Sequence, residues 1–363
     1  MVEAWQVSMN ALKHGGYHMS TSFESVSMMK ALVYEAPCVM NIRQLPIPVP
    51  KSDEVLIRVE IAGICGSELS GYLGHNSLRK PPLVMGHEFA GSIAMRGSHV
   101  TRFQDGERVT VNPLVSCNRC RDCLSGTANL CAERILIGAG RPGAYAEYVS
   151  VPERNVYPLP DSLTYADGSL VEPFACAVRV CRLAEASPAD QMLIVGAGPI
   201  GLFVLQTAHL FGVTHITVMD TNMERLDIAK QLGANIVHTE AELIAMSPAR
   251  GYDITVDAVG MEVTRQTCMK SAKPGGRVVF SGLHAADSML PINLSIRNEL
   301  KMFGSFGYTP YDFELALDWL VARKVDLKPW TVTESLLNGQ ACFERLLHQP
   351  GKIAKILLTC QAL

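Results

Sequence analysis

Four cysteines fall within fifteen residues, in the pattern Cys117-x2-Cys120-x2-Cys123-x7-Cys131. Thiolates this closely spaced on a loop can wrap one tetrahedral Zn²⁺, which takes four sulfurs at about 2.3 Å. Protein then fills every position and none is left for water or substrate, so such an ion would be structural. The ferredoxin run that binds an iron–sulfur cluster has a shorter last gap and a following Pro, whereas Ala132 follows here. A group of free thiols is the bland alternative. A nucleic-acid zinc ribbon has no support from charge or surroundings.

A second motif is Leu193-Ile194-Val195-Gly196-Ala197-Gly198-Pro199-Ile200-Gly201, a G-x-G-x-x-G pattern after an apolar run. Gly196 would make the tight turn, Gly198 would let a pyrophosphate approach the backbone, and Gly201 would let a helix pack close to the sheet. The helix directs its free N–H groups and positive dipole end at the phosphates, and Pro199 suits its first turn. The next apolar run, His215 to Met219, ends in Asp220, 19 residues after Gly201. A carboxylate there accepts hydrogen bonds from a ribose diol and repels a 2′-phosphate, which favours NAD over NADP. Arg225 is the counter-signal for NADP; it is expected as a solvated residue of the following helix.

Third come Cys65 in Gly63-Ile64-Cys65-Gly66-Ser67-Glu68, His87 in Gly86-His87-Glu88, and Glu172 in Val171-Glu172-Pro173. A mixed Cys/His/carboxylate set plus one open position is the composition of a catalytic zinc site. Spacing alone does not select these three. Taken singly they read as a buried thiol, a core histidine and a surface acid.

The elements that must position these groups divide the chain in two. Its 363 residues are 48% hydrophobic and 18% charged, which implies a packed core and about two domains. Formal net charge is -3, without the footprint of a nucleic-acid binder. Eleven cysteines in a chain of this length, with no secretory signal pattern, suggest free thiols and metal ligands in a cytoplasmic protein. Residues 1–28 lack periodicity and are expected to be a disordered extension. From 29 to about 160, short β segments alternate with Gly and Pro, as in Glu54–Val59, Phe89–Ile93 and Arg108–Val111, suggesting a barrel-like β domain. From about 190 to 305, apolar strands alternate with helical stretches, the pattern of βαβ units and a parallel sheet. Met192 to Val213 is 22 residues without a formal charge, but its glycines and Pro199 point to a strand, a turn and a buried helix instead of a membrane span. Helices are expected at Tyr311–Ala322 and Cys342–Leu347, and a last strand at Lys355–Leu358.

Over nearly all of residues 29–363 the chain resembles the zinc-dependent medium-chain alcohol/polyol dehydrogenases. The resemblance is carried by the three motifs above, by Asp105-Gly106-Glu107-Arg108-Val109 and by Gly143-Ala144-Tyr145-Ala146-Glu147-Tyr148. Glu172-Pro173 is similar to the sorbitol, galactitol-phosphate and threonine dehydrogenase branch; alcohol dehydrogenases of the other branch have Cys at that position. The resemblance implies an α/β fold: a GroES-like β-rich catalytic domain over 29–174 and 306–363, and a Rossmann NAD-binding domain over 175–305. It implies two zinc ions per subunit and a homodimer or homotetramer. Cys65 and His87 would hold the catalytic zinc with Glu172, directly or through water, and Glu88 is the alternative ligand. Ser281, Gly282 and Leu283 would lie near the nicotinamide. Cys176 matches no family ligand and is expected in the core, and Arg297 is expected to be solvated.

Two positions depart from the family pattern. Glu68 stands where Asp usually holds the ligand histidine, and its longer arm can still accept the imidazole N–H. Ser70 stands where a proton-relay histidine is frequent, which leaves Ser67, water or another group to carry the proton. The implied reaction is reversible oxidation of a secondary alcohol (a polyol, sugar acid or polyol phosphate) by NAD. The rivals are a zinc-free quinone or enoyl reductase and a non-catalytic NAD-binding protein of the same fold.

Overall fold

A computed structural model describes residues 27–326 and 330–360. The expected N-terminal extension therefore lies, through residue 26, outside the described residues. The first strand, Met28–Ala36, pairs with Val39–Pro46 and Leu83–Val84 in a small antiparallel sheet. A larger sheet runs in the order Val156–Pro158, Arg108–Val111, Glu88–Arg96, Glu54–Gly63, Lys355–Thr359, Thr331–Ser335, with Tyr148–Pro152 also on Glu54–Gly63. A single bridge between Ala31 and Ala146 ties the two sheets into a barrel-like β domain.

Glu54–Gly63 is the centre of this domain. Of its ten residues only Arg58 is exposed, so the strand lacks the alternation of a half-buried one. It carries Glu88–Arg96 on one side, and on the other Tyr148–Pro152 along its first half and Lys355–Thr359 along its second. The site-bearing segments thus leave the ends of adjacent strands: Cys65 follows one, and His87 precedes the other.

The second domain is a six-stranded parallel sheet. Its spatial order is Asn235–Val237, His215–Met219, Gln191–Val195, Tyr252–Asp257, Ala272–Phe280, Lys301–Gly304. In chain order this is 3-2-1-4-5-6, the doubly wound arrangement that binds ligands where the strand order reverses. The uncharged run resolves into the strand Gln191–Val195, a turn and the helix Pro199–Leu210, in which Leu202, Phe203, Val204, Leu205 and Ala208 are fully buried. Burial within protein explains its apolarity. Among the described residues no helix is long and apolar enough to cross a membrane.

Helix Val171–Leu183 joins the two halves. Phe174 stacks on Phe203 with ring centroids 5.2 Å apart, and Phe203 meets Trp330 edge-on at 4.9 Å. One hydrophobic core therefore runs from Ile61, Ala90 and Leu159 through Phe174 to Ile194 and Val218.

The glycine turn is built as its sequence implies. Gly196 has φ +108°, and a Cβ on Gly201 would sit 1.8 Å from the Gly196 carbonyl oxygen. Gly201→Ala should push the helix off the strand and cost about 1–3 kcal/mol, as overpacking does. A drop in the urea midpoint at unchanged slope checks this; an unshifted midpoint would contradict the packing described.

Candidate active site

Cys65 caps the N-terminus of helix Gly66–Tyr72, which places Glu68 in the first turn. The Glu68 side chain is fully buried and meets four donors. It accepts from the Cys65 N–H (3.0 Å), the Gly86 N–H (2.8 Å), His87 Nδ1 (2.7 Å) and the Tyr145 hydroxyl. Burial alone would raise the Glu68 pKa, but His87 and Arg79 outweigh it and hold the carboxyl at about 2. The His87 pKa would fall with burial, and facing Glu68 and Cys65 instead takes it well above the ordinary value. An ionised Glu68 fixes the proton on Nδ1 and turns Nε2 toward Cys65. The longer arm expected of Glu68 thus does the work of the usual Asp.

Three ligand atoms, from Cys65, His87 and Glu88, lie within 4.8 Å of one another. Both Glu88 oxygens also accept from Lys355 Nζ, at 2.6 and 2.7 Å, and the same ammonium donates to the Ile64 carbonyl at 2.9 Å. Glu172 stands outside that close trio but lines the same cavity, and its Oε1 accepts from the Tyr308 hydroxyl at 3.0 Å. Burial, aided by nearby Glu88, pushes the Glu172 carboxyl up to about 7. Soft thiolate, imidazole and carboxylate around one point form a donor set suited to zinc, with a fourth position free.

The cavity, about 390 Å³, lies between the domains and is lined from both. Cys65, Ser67, His87, Glu88 and Glu172 meet Ile200, Val259, Ser281, Gly282 and Leu283 across it. Ser67 donates to the Cys65 sulfur at 3.3 Å and accepts from Arg79 at 3.1 Å.

Cys176 packs against the core as expected and also lines the cavity wall, one helical turn after Glu172; burial, then Glu172, raises its thiol pKa well above normal. One expectation needs correction. Arg225 is not a solvated residue: its Nη2 donates to the Ile353 carbonyl at 2.9 Å and its Nε is buried. Burial lowers the Arg225 pKa, against the pull of Asp220. Arg297 is exposed as expected.

At the dinucleotide turn, Gly198 caps helix Pro199–Leu210, and nothing lies within 4 Å of where its Cβ would be, leaving room for a pyrophosphate. Asp220 accepts from the Ala197 N–H (2.6 Å) and the Asn222 N–H (2.7 Å), which holds its carboxylate beside the turn. In the lobe, sulfur separations are 3.5 Å for Cys120–Cys123 and Cys131–Cys117 and 3.9 Å for Cys117–Cys123. Four sulfurs about 2.3 Å from a common centre would stand roughly 3.8 Å apart, so this cage is sized for zinc. Backbone N–H groups of Arg119 and Cys120 bring the Cys117 thiol down to about 6.

Residues missing from the sequence reading are Lys355, Arg79, Tyr145 and Tyr308. Tyr145 stood in the Gly143–Tyr148 motif without a role, and Lys355 showed as a charge opening the apolar run Lys355-Ile356-Leu357-Leu358; Arg79 and Tyr308 left no signal.

Comparison with known proteins agrees with this geometry. Residues 51–161 match the alcohol dehydrogenase GroES-like domain, and residues 199–322 match the zinc-binding dehydrogenase domain. The chain is 33% identical to sorbitol dehydrogenase of Bacillus subtilis, over 91% of this chain and 97% of that protein. It is 35% identical to a probable D-xylulose reductase A of Aspergillus clavatus, over 78% and 83% respectively. An alcohol dehydrogenase of Escherichia coli CFT073, solved with NADH, superposes with a TM-score of 0.86 at 29% identity, covering 92% of this chain and 99% of that one. The chain belongs to the zinc-dependent medium-chain alcohol dehydrogenase family. It is an oxidoreductase acting on CH–OH groups.

Lys355→Met should destabilise the fold by about 3–5 kcal/mol, because Glu88 is left buried without its counter-charge. Adding Glu88→Gln should restore most of that loss. Urea unfolding of the two variants measures it, and no recovery in the double variant would refute the pairing.

Proposed function

We propose that this chain oxidises a secondary alcohol of the polyol, sugar-acid or polyol-phosphate class, reversibly, with NAD as hydride acceptor. Cys65, His87 and Glu88 would hold one zinc ion, with Glu172 beside it, and Cys117, Cys120, Cys123 and Cys131 would hold a second. Residues 29–174 with 306–363 form the catalytic unit in this reading, and 175–305 the NAD-binding unit. Zinc, when bound, makes an alcohol hydroxyl more acidic, and the nicotinamide accepts the hydride.

The observation that carries this reading is the shared cavity: the Cys/His/Glu trio and the residues after the parallel strands face one space. A zinc-free reductase would have no use for that trio. Glu68 orients His87, and Lys355 balances the charge of Glu88. The Ser67 hydroxyl is the first stop for a departing proton. Arg79 is a dead end, since a guanidinium stays protonated, so the path runs toward Ser70 and the exposed His75 on the cavity wall. Asp220 supports NAD over NADP, with Pro199 and Ile200 opening the phosphate-facing helix. We read the protein as a cytoplasmic homo-oligomer, a dimer or tetramer.

Absorbance at 340 nm, on zinc-replete protein with NAD and a panel of alcohols, tests the reading. Cys65→Ser should lower kcat/KM by roughly a thousandfold, the scale of a lost catalytic ligand, and zinc analysis should fall from two ions per chain to one. Equal turnover in wild type and Cys65→Ser would remove the proposed metal centre. Cys120→Ser should instead lose thermal stability first. Asp220→Ser should raise the NADP-to-NAD ratio of kcat/KM by roughly tenfold or more, through removal of like-charge repulsion. An unchanged ratio would show that Asp220 does not set the preference.

A further inference from the structure

Resting on the dehydrogenase reading, we infer that the four-cysteine lobe also serves the reaction: through Asn129 and Arg134 it grips Phe306, and so sets the wall of the active cavity that steadies Glu172. Asn129 and Arg134 are positioning residues, and neither lines that cavity.

Ser305, Phe306, Gly307 and Tyr308 are consecutive residues on the cavity wall. They connect strand Lys301–Gly304 to helix Pro310–Val321. Both ends of this connector are held. The Ser305 N–H donates to the Phe280 carbonyl at 2.8 Å, and Thr309 caps the helix by exchanging hydrogen bonds with Asp312. The middle is held differently. Gly307 has φ +53°, with open space where a Cβ would stand. Among the described residues, the one hydrogen bond to the backbone of residues 306–308 comes from the lobe: Asn129 Nδ2 donates to the Phe306 carbonyl at 2.9 Å.

A second contact holds the Phe306 side chain. The Arg134 guanidinium lies 4.8 Å from the ring centre, a cation–π geometry, and donates to the Cys131 carbonyl at 3.0 Å. Asn129 stands two residues before Cys131, and Arg134 three after it. Cys131 is fully buried, and its sulfur lies 3.5 Å from that of Cys117. The grip is therefore anchored on the cage itself. Asn129 is 2% exposed, yet its Oδ1 has no partner. It lines a second cavity, of about 60 Å³, that Tyr308 and Pro310 line from the connector side. An apolar residue at 129 would leave no unpaired oxygen; what the amide adds is the bond to Phe306.

The consequence reaches the reacting centre at Tyr308. Its hydroxyl donates to Glu172 Oε1 at 3.0 Å, and Glu172 lines the cavity beside the ligand trio. Releasing Phe306 would free the connector to turn about Gly307, and the Tyr308 hydroxyl would lose its fixed aim at Glu172. The lobe then matters to turnover as well as to stability.

The test uses full-length, zinc-replete protein and the substitutions Asn129→Ala, Arg134→Met and Tyr308→Phe, with zinc content and melting temperature checked for each. Amide hydrogen exchange should quicken over residues 305–309 in Asn129→Ala, while the strands of the parallel sheet keep their original rates. With NAD and either sorbitol or 2,3-butanediol, followed at 340 nm, kcat/KM should fall roughly fivefold in Asn129→Ala, the effect of one lost hydrogen bond. It should fall roughly threefold in Arg134→Met. Asn129→Ala combined with Tyr308→Phe should lose no more than the worse single variant, because both act on one contact. Losses that multiply in the double variant would overturn the inference. So would unchanged exchange over 305–309 in Asn129→Ala protein that still holds two zinc ions. Arg134 is exposed, so Arg134→Met decides the matter where Asn129→Ala fails to fold: original exchange and turnover in that variant would overturn the inference. Absence of turnover of any alcohol by the unaltered chain would sink the dehydrogenase reading itself, and the inference with it.

Discussion

One buried carboxylate organises this molecule. Glu68 receives two backbone N–H groups, an imidazole and a phenol, drawn from three segments that are distant in sequence. A bare carboxylate at this depth would be too costly to keep ionised. Hydrogen bonds to a charged acceptor contribute about 1.5–3 kcal/mol each, and four of them with a nearby cation offset the desolvation. The carboxyl stays ionised, near a pKa of 2. Because every donor is used, the positions of Cys65, Gly86, His87 and Tyr145 are fixed relative to one another. Gly86 is part of that constraint: its φ is +102°, and a Cβ there would lie 2.7 Å from the Tyr145 nitrogen.

Around this hub the charges form layers. His87 stands between Glu68 and the ligand space, and Glu88 stands between that space and Lys355. Glu172 adds a third carboxylate, steadied by Tyr308. Glu88 and Glu172 both face the cavity, and a divalent ion held beside them would add the positive charge that favours two neighbouring carboxylates. The parallel sheet brings the hydride acceptor's side to the same space through the ends of its strands.

What could be read from the sequence was local. The turn at Gly196–Gly201 and the cage from Cys117 to Cys131 each depend on residues within fifteen positions, and both are built as their spacing implies. The alternation of strands and helices likewise gave the parallel sheet. The grouping of Cys65, His87, Glu88 and Glu172 was legible only through family resemblance, since these residues are joined by long-range packing. The balance between Glu88 and Glu172 depends on Lys355, 267 positions beyond Glu88. Arg225 was misjudged for the same reason: its anchor is a carbonyl 128 positions away.

The chain crosses its β domain, builds the whole parallel sheet, and only then returns to lay Lys355–Thr359 beside Glu54–Gly63. Domains fold as units while the ribosome is still working, the earlier segments first. The four cysteines of the lobe are therefore made long before the counter-charge for Glu88, which arrives only with the returning strand. The burial of Glu88 thus waits on a strand made after the whole parallel sheet, and that return locks the two halves of the chain together.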